Sequence, residues 1–194
     1  MKLKNLKIGL GITGSFCNFN NVKTIIESLK DEGAIVIPIV SYITKNETTR
    51  FFNKTEFMDM IEDATGNKVI DSITKAEPIG PKNMIDILLI CPCTGNTLAK
   101  LNNCIIDTPV LMAAKSHMRN NRPIVIGIST NDGLGKNLKN IAELLNTKNM
   151  YFVPFNQDDY INKPKSLVLN FDQIIESLEC AMDGEQIQPI IYKK

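Results

Sequence analysis

The sequence predicts an α/β protein with a doubly wound, mostly parallel sheet in a Rossmann-like three-layer sandwich. Apolar runs of strand length alternate with segments of helical period, which is the pattern of helices covering both faces of a sheet. The runs at 85–91 and 123–128 are almost continuously apolar, as strands buried on both faces require. Glycine and hydroxyl residues follow several of these runs, where a strand would turn into a helix.

The composition is that of a globular protein, and a single domain over 1–194 is predicted. Of the 194 residues, 43% are hydrophobic and 22% are charged, and the formal net charge is +1. This balance gives no reason to expect a nucleic-acid or anionic membrane partner. No apolar run reaches the roughly 20 residues of a membrane span, and the N-terminus lacks a signal-peptide pattern, so a cytoplasmic protein is expected.

Predicted strands and helices alternate through the first half of the chain. The apolar run 6–12 forms the first strand. A helix follows and ends near Gly33, with apolar residues at i, i+3, i+4 and i+7, namely Val22, Ile25, Ile26 and Leu29. The second strand covers 34–40, where Pro38 favours an edge position or an imperfect strand end. A second helix is expected over 48–65.

The second half continues the same alternation after a segment, 68–79, that fits no single pattern. Residues 78–81 are predicted to form a loop, because proline and glycine dominate them. The remaining predicted elements are a strand at 85–91, a helix containing Leu98, Leu101 and Ile105, a helix at 108–118, a strand at 123–128, a helix at 138–145, a central strand at 150–153, a loop at 156–165 and a closing helix at 171–182.

Four successive predicted strands end in hydroxyl, amide and glycine residues. The carboxyl ends of parallel strands share one edge of the sheet, where doubly wound proteins bind their ligands. Glycine lets backbone N–H groups approach a phosphate, and helix N-termini add positive potential. The predicted cofactor-binding residues are Gly11, Thr13, Gly14, Ser15, Ser41, Pro92, Thr94, Gly95, Asn96, Thr97, Ser129, Thr130 and Asn131.

The first turn also matches the Rossmann glycine pattern, since Gly9, Gly11 and Gly14 have the spacing G-x-G-x-x-G. That pattern requires an acidic residue at the end of the second strand, where this chain has Ser41. A mononucleotide such as FMN is therefore favoured, while NAD or NADP stays possible. The alternative is that these residues only form capped turns, because N-caps use the same residue types.

The cysteines and the single histidine do not form a recognisable metal site. The five cysteines are scattered, and Cys91 and Cys93 have C-x-C rather than C-x-x-C spacing. Buried, reduced thiols are expected, with a reactive Cys93 as the alternative. His117 is expected to be solvated or at the edge of the core, with a catalytic role as the alternative.

Two groups of basic residues have two interpretations each. They are Lys45 with Arg50, and Lys115 with Arg119 and Arg122. Most such groups are solvated surface, but a guanidinium can also bind a carboxylate through two parallel hydrogen bonds. The second interpretation makes these residues contacts for an anion or a dicarboxylate.

Several motifs resemble the flavin-containing cysteine decarboxylase superfamily. Residues 92–97 resemble its P-x-x-x-N-T motif, 11–15 its first flavin-phosphate loop, and Ser41 its second-strand serine. Asn131 falls where that superfamily has the asparagine of a P-x-M-N motif. The superfamily's catalytic histidine has no counterpart here, since Glu77 and Pro78 stand in that region, and cysteine decarboxylation by the usual route is therefore not expected.

Within that superfamily, residues 7–191 are similar to the family of dipicolinate synthase B subunits. The most specific segments are 13–17, 70–82, 109–115, 119–132 and 154–159. The resemblance implies a flavoprotein fold, a homo-oligomer and a partner, the dipicolinate synthase A subunit, which resembles an NAD(P)-dependent dehydrogenase. Together the two proteins are expected to oxidise dihydrodipicolinate to dipicolinate in the spore-forming cell.

A dihydropyridine dicarboxylate becomes aromatic when it loses a hydride and a proton. Asn96 and Asn131 are predicted to orient the cofactor or substrate, and Glu77 or Asp132 to act as the base. Two other functions stay open. One is a different flavin enzyme, a decarboxylase or a flavin prenyltransferase, which residues 121–123 resemble. The other is a non-catalytic protein that stabilises the A subunit.

Overall fold

The strands form where isoleucine, valine and leucine runs are buried on both faces of one sheet. The fold is taken from a computed structural model, which describes residues 3–192. In the strand Ile87–Cys93 every residue is buried, as a central strand requires. The strands are β1 (Lys7–Ile12), β2 (Ile35–Val40), β3 (Ile87–Cys93), β4 (Ile124–Thr130), β5 (Met150–Phe152), β6 (Phe155–Asn156) and β7 (Leu167–Leu169).

The strand order is β2-β1-β3-β4, and all three of these pairings are parallel. β5 runs parallel to the first half of β4, while β7 pairs antiparallel with the end of β4 and with β6. The predicted α/β class with a doubly wound, mostly parallel sheet is confirmed. Beyond β1, the only pairing of β2 within residues 3–192 is an isolated bridge from Ile39 to Ile70, which agrees with the edge position predicted from Pro38.

Helices cover both faces of this sheet and make the three layers. The helices are α1 (Asn20–Asp31), α2 (Tyr42–Asn46), α3 (Lys54–Thr65), α4 (Ile73–Ala76), α5 (Gly95–Asn102), α6 (Pro109–Met118), α7 (Leu138–Leu145) and α8 (Ile174–Met182). One apolar layer packs α1, α3 and α8 against the sheet, and the other packs α4, α5, α6 and α7. Within residues 3–192, no helix is both long and apolar enough to cross a bilayer.

The structure corrects several predicted boundaries. The third strand begins at Ile87, directly after Asp86, whose carboxylate accepts a hydrogen bond from the Lys7 N–H, and it extends through Pro92 to Cys93. The helix predicted from 48 begins at Lys54, after a tight turn in which the Thr49 N–H bonds to the Phe52 carbonyl. Ile105 lies beyond the end of α5 and is exposed.

The C-terminal part of the sheet also differs from prediction. β5 pairs with β4 alone within residues 3–192, so it is not the central strand that the apolar run 150–153 suggests. β6 and β7 flank the predicted loop 156–165, and neither is predicted, because two or three residues give no readable period. Residues 77–79 form a 3₁₀ turn rather than the start of an open loop.

Candidate functional site

The strand order places a topological switch point between β1 and β3. The chain leaves β1 toward β2 on one side, and the connection from β2 returns past β1 to form β3 on the other side. The crevice beyond the carboxyl ends of these two strands is where sheets of this order bind ligands, including FMN. The turns that the sequence singles out, 13–15 and 94–97, both lie at this point.

Thr13 joins the two turns through its buried side chain. Its hydroxyl donates to the Pro92 carbonyl oxygen at 2.7 Å and accepts from the Thr94 N–H at 3.0 Å. The Thr13 N–H donates to the same Pro92 oxygen at 3.3 Å. Because Thr13 is only 1% exposed, these bonds fix the β1 turn against the end of β3.

Ser15 is the corresponding link between the β1 turn and β4. Its hydroxyl lies 2.6 Å from the Ser129 hydroxyl, and both side chains are buried. The Asn18 amide donates to Ser129 Oγ at 2.5 Å. The predicted residues Ser15 and Ser129 are therefore brought together, and Asn18 is a partner that sequence reasoning missed.

Ser41 acts as the N-cap of the short helix α2 directly after β2. Its oxygen accepts from the Thr44 N–H at 3.4 Å and lies 2.9 Å from the Thr44 hydroxyl. The Ser41 N–H donates to the Ile12 carbonyl at 3.0 Å, so the β2 end is tied to the β1 end. Ser41 still lines a cleft at this edge.

The N-terminus of α5 presents backbone donors beside the β1 turn. Thr94 caps this helix, because its oxygen accepts from the Thr97 N–H at 3.2 Å. The Asn96 side chain is exposed and makes no hydrogen bond within the described residues. The backbone N–H groups of five neighbouring residues likewise have no partner in residues 3–192; these are Gly14, Phe16, Cys17, Gly95 and Asn96.

Two of the predicted glycines serve close packing. A Cβ on Gly95 would lie 2.6 Å from Thr130 Oγ1 and 2.5 Å from Asn137 Nδ2, so only glycine lets α5 begin this close to the end of β4. Gly11 lies within β1, where a Cβ would come within 3.0 Å of Val110 on α6. Gly11 therefore allows α6 to pack closely on β1, and it lies in the strand rather than in the turn.

Two adjoining clefts open at this edge and share Gly14, Thr94 and Asn96. The small cleft has a volume of about 400 Å³ and is lined by 13–14, 41–43, 94, 96–97, 100, 107–108 and 111. The large cleft has a volume of about 820 Å³ and is lined by 14–18, 50–51, 94–96, 129–132, 137, 158, 163 and 166–168. Both volumes are in the range of small-molecule sites, about 300–1,000 Å³.

The large cleft contains the predicted residues that follow β4. Asn131 is exposed in it. The Asp132 carboxylate accepts from the Lys136 N–H at 3.2 Å and from the Asn137 amide at 3.3 Å. Its own N–H donates to Thr130 Oγ1 at 3.3 Å. Asp132 thus lines the cleft with a carboxylate whose orientation is fixed by two hydrogen bonds.

Glu77 is not brought to this edge. It is exposed at the start of the 3₁₀ turn 77–79, and its carbonyl accepts from the Ser116 hydroxyl at 3.0 Å. Ser116 lies eight residues after Thr108, which places it roughly 12 Å along α6 from the small cleft. Neither cleft includes Glu77.

His117 and its basic neighbours also lie away from the clefts, near the start of β4. The His117 ring is 1% exposed, and its Nε2 is 3.1 Å from the Pro123 carbonyl oxygen. Burial lowers the pKa of His117 to about 4. A neutral ring that donates from Nε2 is a group of the core interior, so the predicted solvated or core-edge position is wrong.

The thiols of Cys91 and Cys93 are fully buried inside β3. Burial raises the pKa of each thiol far above its usual value. A thiol held protonated in this way is a poor nucleophile, so the prediction of buried, reduced thiols holds for these two cysteines. It is wrong for Cys17 and Cys104, which are free but exposed, and Cys180 is partly buried. Within residues 3–192, no group of three or more His, Cys, Asp or Glu side chains could hold a metal ion.

Sequence reasoning missed several other residues that line the two clefts. Tyr42, Ile43 and Leu111 give the small cleft an apolar side. Phe51 and Lys163 line the large cleft, beside Arg50, for which the sequence offers an anion-binding interpretation. These residues come from helices and connections far from any glycine turn, so no local pattern marks them. A further groove of about 790 Å³ between α1 and α3 is lined mainly by charged side chains, away from the strand ends.

Comparisons with known proteins agree with this geometry. The family model described as Flavoprotein matches residues 1–178. The B subunit of dipicolinate synthase from Bacillus subtilis (strain 168) is 50% identical over 191 residues, which cover 98% of this chain and 96% of that protein. The crystal structure of the dipicolinate synthase B subunit from Bacillus halodurans superposes with a TM-score of 0.91 at 42% identity and covers 100% of both chains.

A more distant structure shares the fold. The FMN-dependent cysteine decarboxylase SpaF superposes with a TM-score of 0.68 over 93% of this chain and 97% of that chain. The two sequences are 18% identical, so this likeness concerns the fold alone. The fold of this chain is therefore one on which an FMN-dependent enzyme is also built.

Proposed function

The chain belongs to the flavoprotein family and, within it, to the group of dipicolinate synthase B subunits, and on this basis we propose that it binds FMN at the β1/β3 switch point. Together with the A subunit, it would take part in the oxidation of dihydrodipicolinate to dipicolinate. In this proposal, the reacting ring of the substrate would lie in the large cleft. The cofactor phosphate would lie at the boundary that the two clefts share.

The observation that carries the proposal is the set of unpaired backbone donors at the switch point. Gly14, Gly95 and Asn96 line the large cleft, and their backbone N–H groups have no partner in the described part of the chain. Unpaired donors at a helix N-terminus suit a phosphate, which accepts several hydrogen bonds and carries negative charge. The donor set therefore fits a flavin mononucleotide.

The residues of this chain would divide the work of binding. Gly14 and Asn96 would donate to the phosphate, and Ser41 and Thr97 would line the small cleft beside it. Thr13 and Ser15 would act mainly by holding the turns in place, since their hydroxyls already bond to Pro92 and Ser129. Bound FMN would supply a hydride acceptor, which side chains cannot provide.

The proton that leaves the substrate ring needs a base at the large cleft. Of the two predicted candidates, only Asp132 lines it, and its orientation is fixed by Lys136 and Asn137. We therefore assign proton acceptance to Asp132 rather than to Glu77. The exposed amide of Asn131, the residue before Asp132, would orient the ring through hydrogen bonds.

Replacing Asn96 with Asp tests the phosphate site. The new carboxylate is nearly isosteric and breaks no existing side-chain hydrogen bond, but it would repel a phosphate at the start of α5. We expect FMN affinity to fall at least about tenfold, which corresponds to about 1.4 kcal/mol. The measurement is a titration of FMN fluorescence with the purified protein.

Asn170→Asp is the matched control. Asn170 caps the turn 171–173 after β7 and lines neither cleft, and an aspartate there can accept the same Asp172 N–H. Its FMN affinity should equal that of the unmodified protein. Equal FMN affinities for the unmodified protein and both variants would show that FMN does not bind at the start of α5. A lack of FMN binding by all three proteins would reject FMN as the cofactor.

A further inference from the structure

Arg50 differs from the other cations near the two clefts. Lys45 lies 2.8 Å from Asp71, and Lys100 lies 2.5 Å from Asp107, so each is neutralised by a carboxylate. Arg50 lines the large cleft, is exposed, and forms no ion pair with any Asp or Glu of residues 3–192. Its charge is therefore available to an anion that enters the cleft.

The Arg50 side chain packs against the ring of its neighbour Phe51. Its guanidinium carbon lies 4.7 Å from the centroid of the Phe51 ring, a cation–π distance. The turn beneath it is closed by the Thr49 N–H, which donates to the Phe52 carbonyl at 3.1 Å. A side chain that is already ordered before binding loses less conformational entropy when a ligand binds.

An aromatic cluster anchors that turn to the β1 side of the site. Phe52 lies 5.5 Å from Phe16 and 4.5 Å from Phe19 between ring centroids, and Phe57 stacks on Phe19 at 4.3 Å. Phe16 itself lines the large cleft. The position of Arg50 is thus coupled to the same segment that carries the β1 turn.

A second cation reaches the large cleft from the opposite side of the sheet. Lys163 lies in the connection between β6 and β7, beyond β4, whereas Arg50 follows β2. Its ammonium is 3.5 Å from Asp158, a looser contact than the other lysine pairs at the clefts. Asp158 and Asp132 line the same cleft, so Lys163 is partly neutralised, and Arg50 is the cation of this lining that has no carboxylate partner in residues 3–192. The rings of Phe16 and Phe51 lie along the cleft wall.

Building on the proposed function, we infer that Arg50 selects a pyridine dicarboxylate over a monocarboxylate. One ring carboxylate binds the Arg50 guanidinium, whose planar fork matches a carboxylate through two hydrogen bonds. The other carboxylate lies on the Lys163 side of the cleft. Arg50 is thus a specificity residue for the substrate and the product, and it does not contact the cofactor phosphate.

The test compares the binding of dipicolinate with that of picolinate, which lacks one carboxylate, by calorimetry on the full chain. Arg50→Gln should raise the dipicolinate Kd about tenfold to a hundredfold, because a charged hydrogen-bonded contact is lost. The picolinate Kd should change less than about threefold, since one carboxylate still meets Lys163. Arg50→Lys should give an intermediate dipicolinate Kd, because an ammonium cannot form the paired contact.

Arg119→Gln is the matched control, since Arg119 is exposed at the far end of α6, outside both clefts. It should leave both Kd values unchanged. The inference is overturned if Arg50→Gln weakens both ligands equally, if it behaves like Arg119→Gln, or if the unmodified protein binds no dipicolinate. An FMN titration of the unmodified protein separates the proposed FMN site from dicarboxylate selection by Arg50. If the protein selects the dicarboxylate through Arg50 but binds no FMN, only the FMN site is rejected.

Discussion

The polar residues at the strand ends divide into two groups by what their side chains touch. Thr13, Ser15 and Ser41 are buried and bond to neighbouring turns. Asn96 and Asn131 are exposed at the large cleft. Residue type alone predicts that all of them sit at the functional edge, but it cannot separate the two groups, because a hydroxyl suits an N-cap and a phosphate equally well.

The buried His117 makes the stability of the protein depend on pH. Its folded pKa of about 4 lies below the ordinary value of 6.5, so the unfolded chain binds a proton in the interval between them and the folded chain does not. The stability contributed by neutral His117 is complete above about pH 6.5 and is lost as the pH falls through 4. A shift of this size corresponds to about 3 kcal/mol.

The measurement is the free energy of unfolding by urea between pH 7.5 and 4, for the unmodified protein and for His117→Gln. Glutamine keeps an N–H that can donate to the Pro123 carbonyl, but it does not titrate. The unmodified protein should lose about 3 kcal/mol more than the variant over this interval. Parallel pH profiles would mean that His117 titrates normally in the folded state.

At the scale of elements, the Thr13 clamp holds the β1 and β3 ends together. Thr13→Val keeps the shape of the side chain but leaves the Thr94 N–H without its acceptor and the Pro92 carbonyl without one donor. We expect a loss of about 1–3 kcal/mol in the free energy of unfolding, since a buried unpaired N–H retains its desolvation cost. Thr13→Ser should lose less, and equal stability of the valine and serine variants would contradict the clamp.

The predictability of an element follows from the length and regularity of its pattern. α1 is predicted from its apolar stripe, and its buried residues are the ones that the period selects. The start of α3 is missed because the turn at 49–52 depends on contacts with Phe16 and Phe19, which are distant in sequence. The extension of β3 through Pro92 and Cys93 is missed because proline is an unfavourable strand residue.

At the scale of the molecule, the sequence predicts that the strand ends meet at one edge, but it contains no direct signal for the strand order. That order places the turns 13–15 and 94–97 side by side at the switch point. It also explains the position of Glu77. The connection from β2 to β3 runs alongside α6 toward the start of the strands, so Glu77 ends at the edge opposite the clefts.

The most direct test of the proposed function is a crystal structure of the protein soaked with FMN. We predict electron density for the phosphate at the boundary of the two clefts, within hydrogen-bond distance of the backbone N–H groups of Gly14 and Asn96. Density for FMN at any other surface, with these N–H groups facing only solvent, would contradict the account.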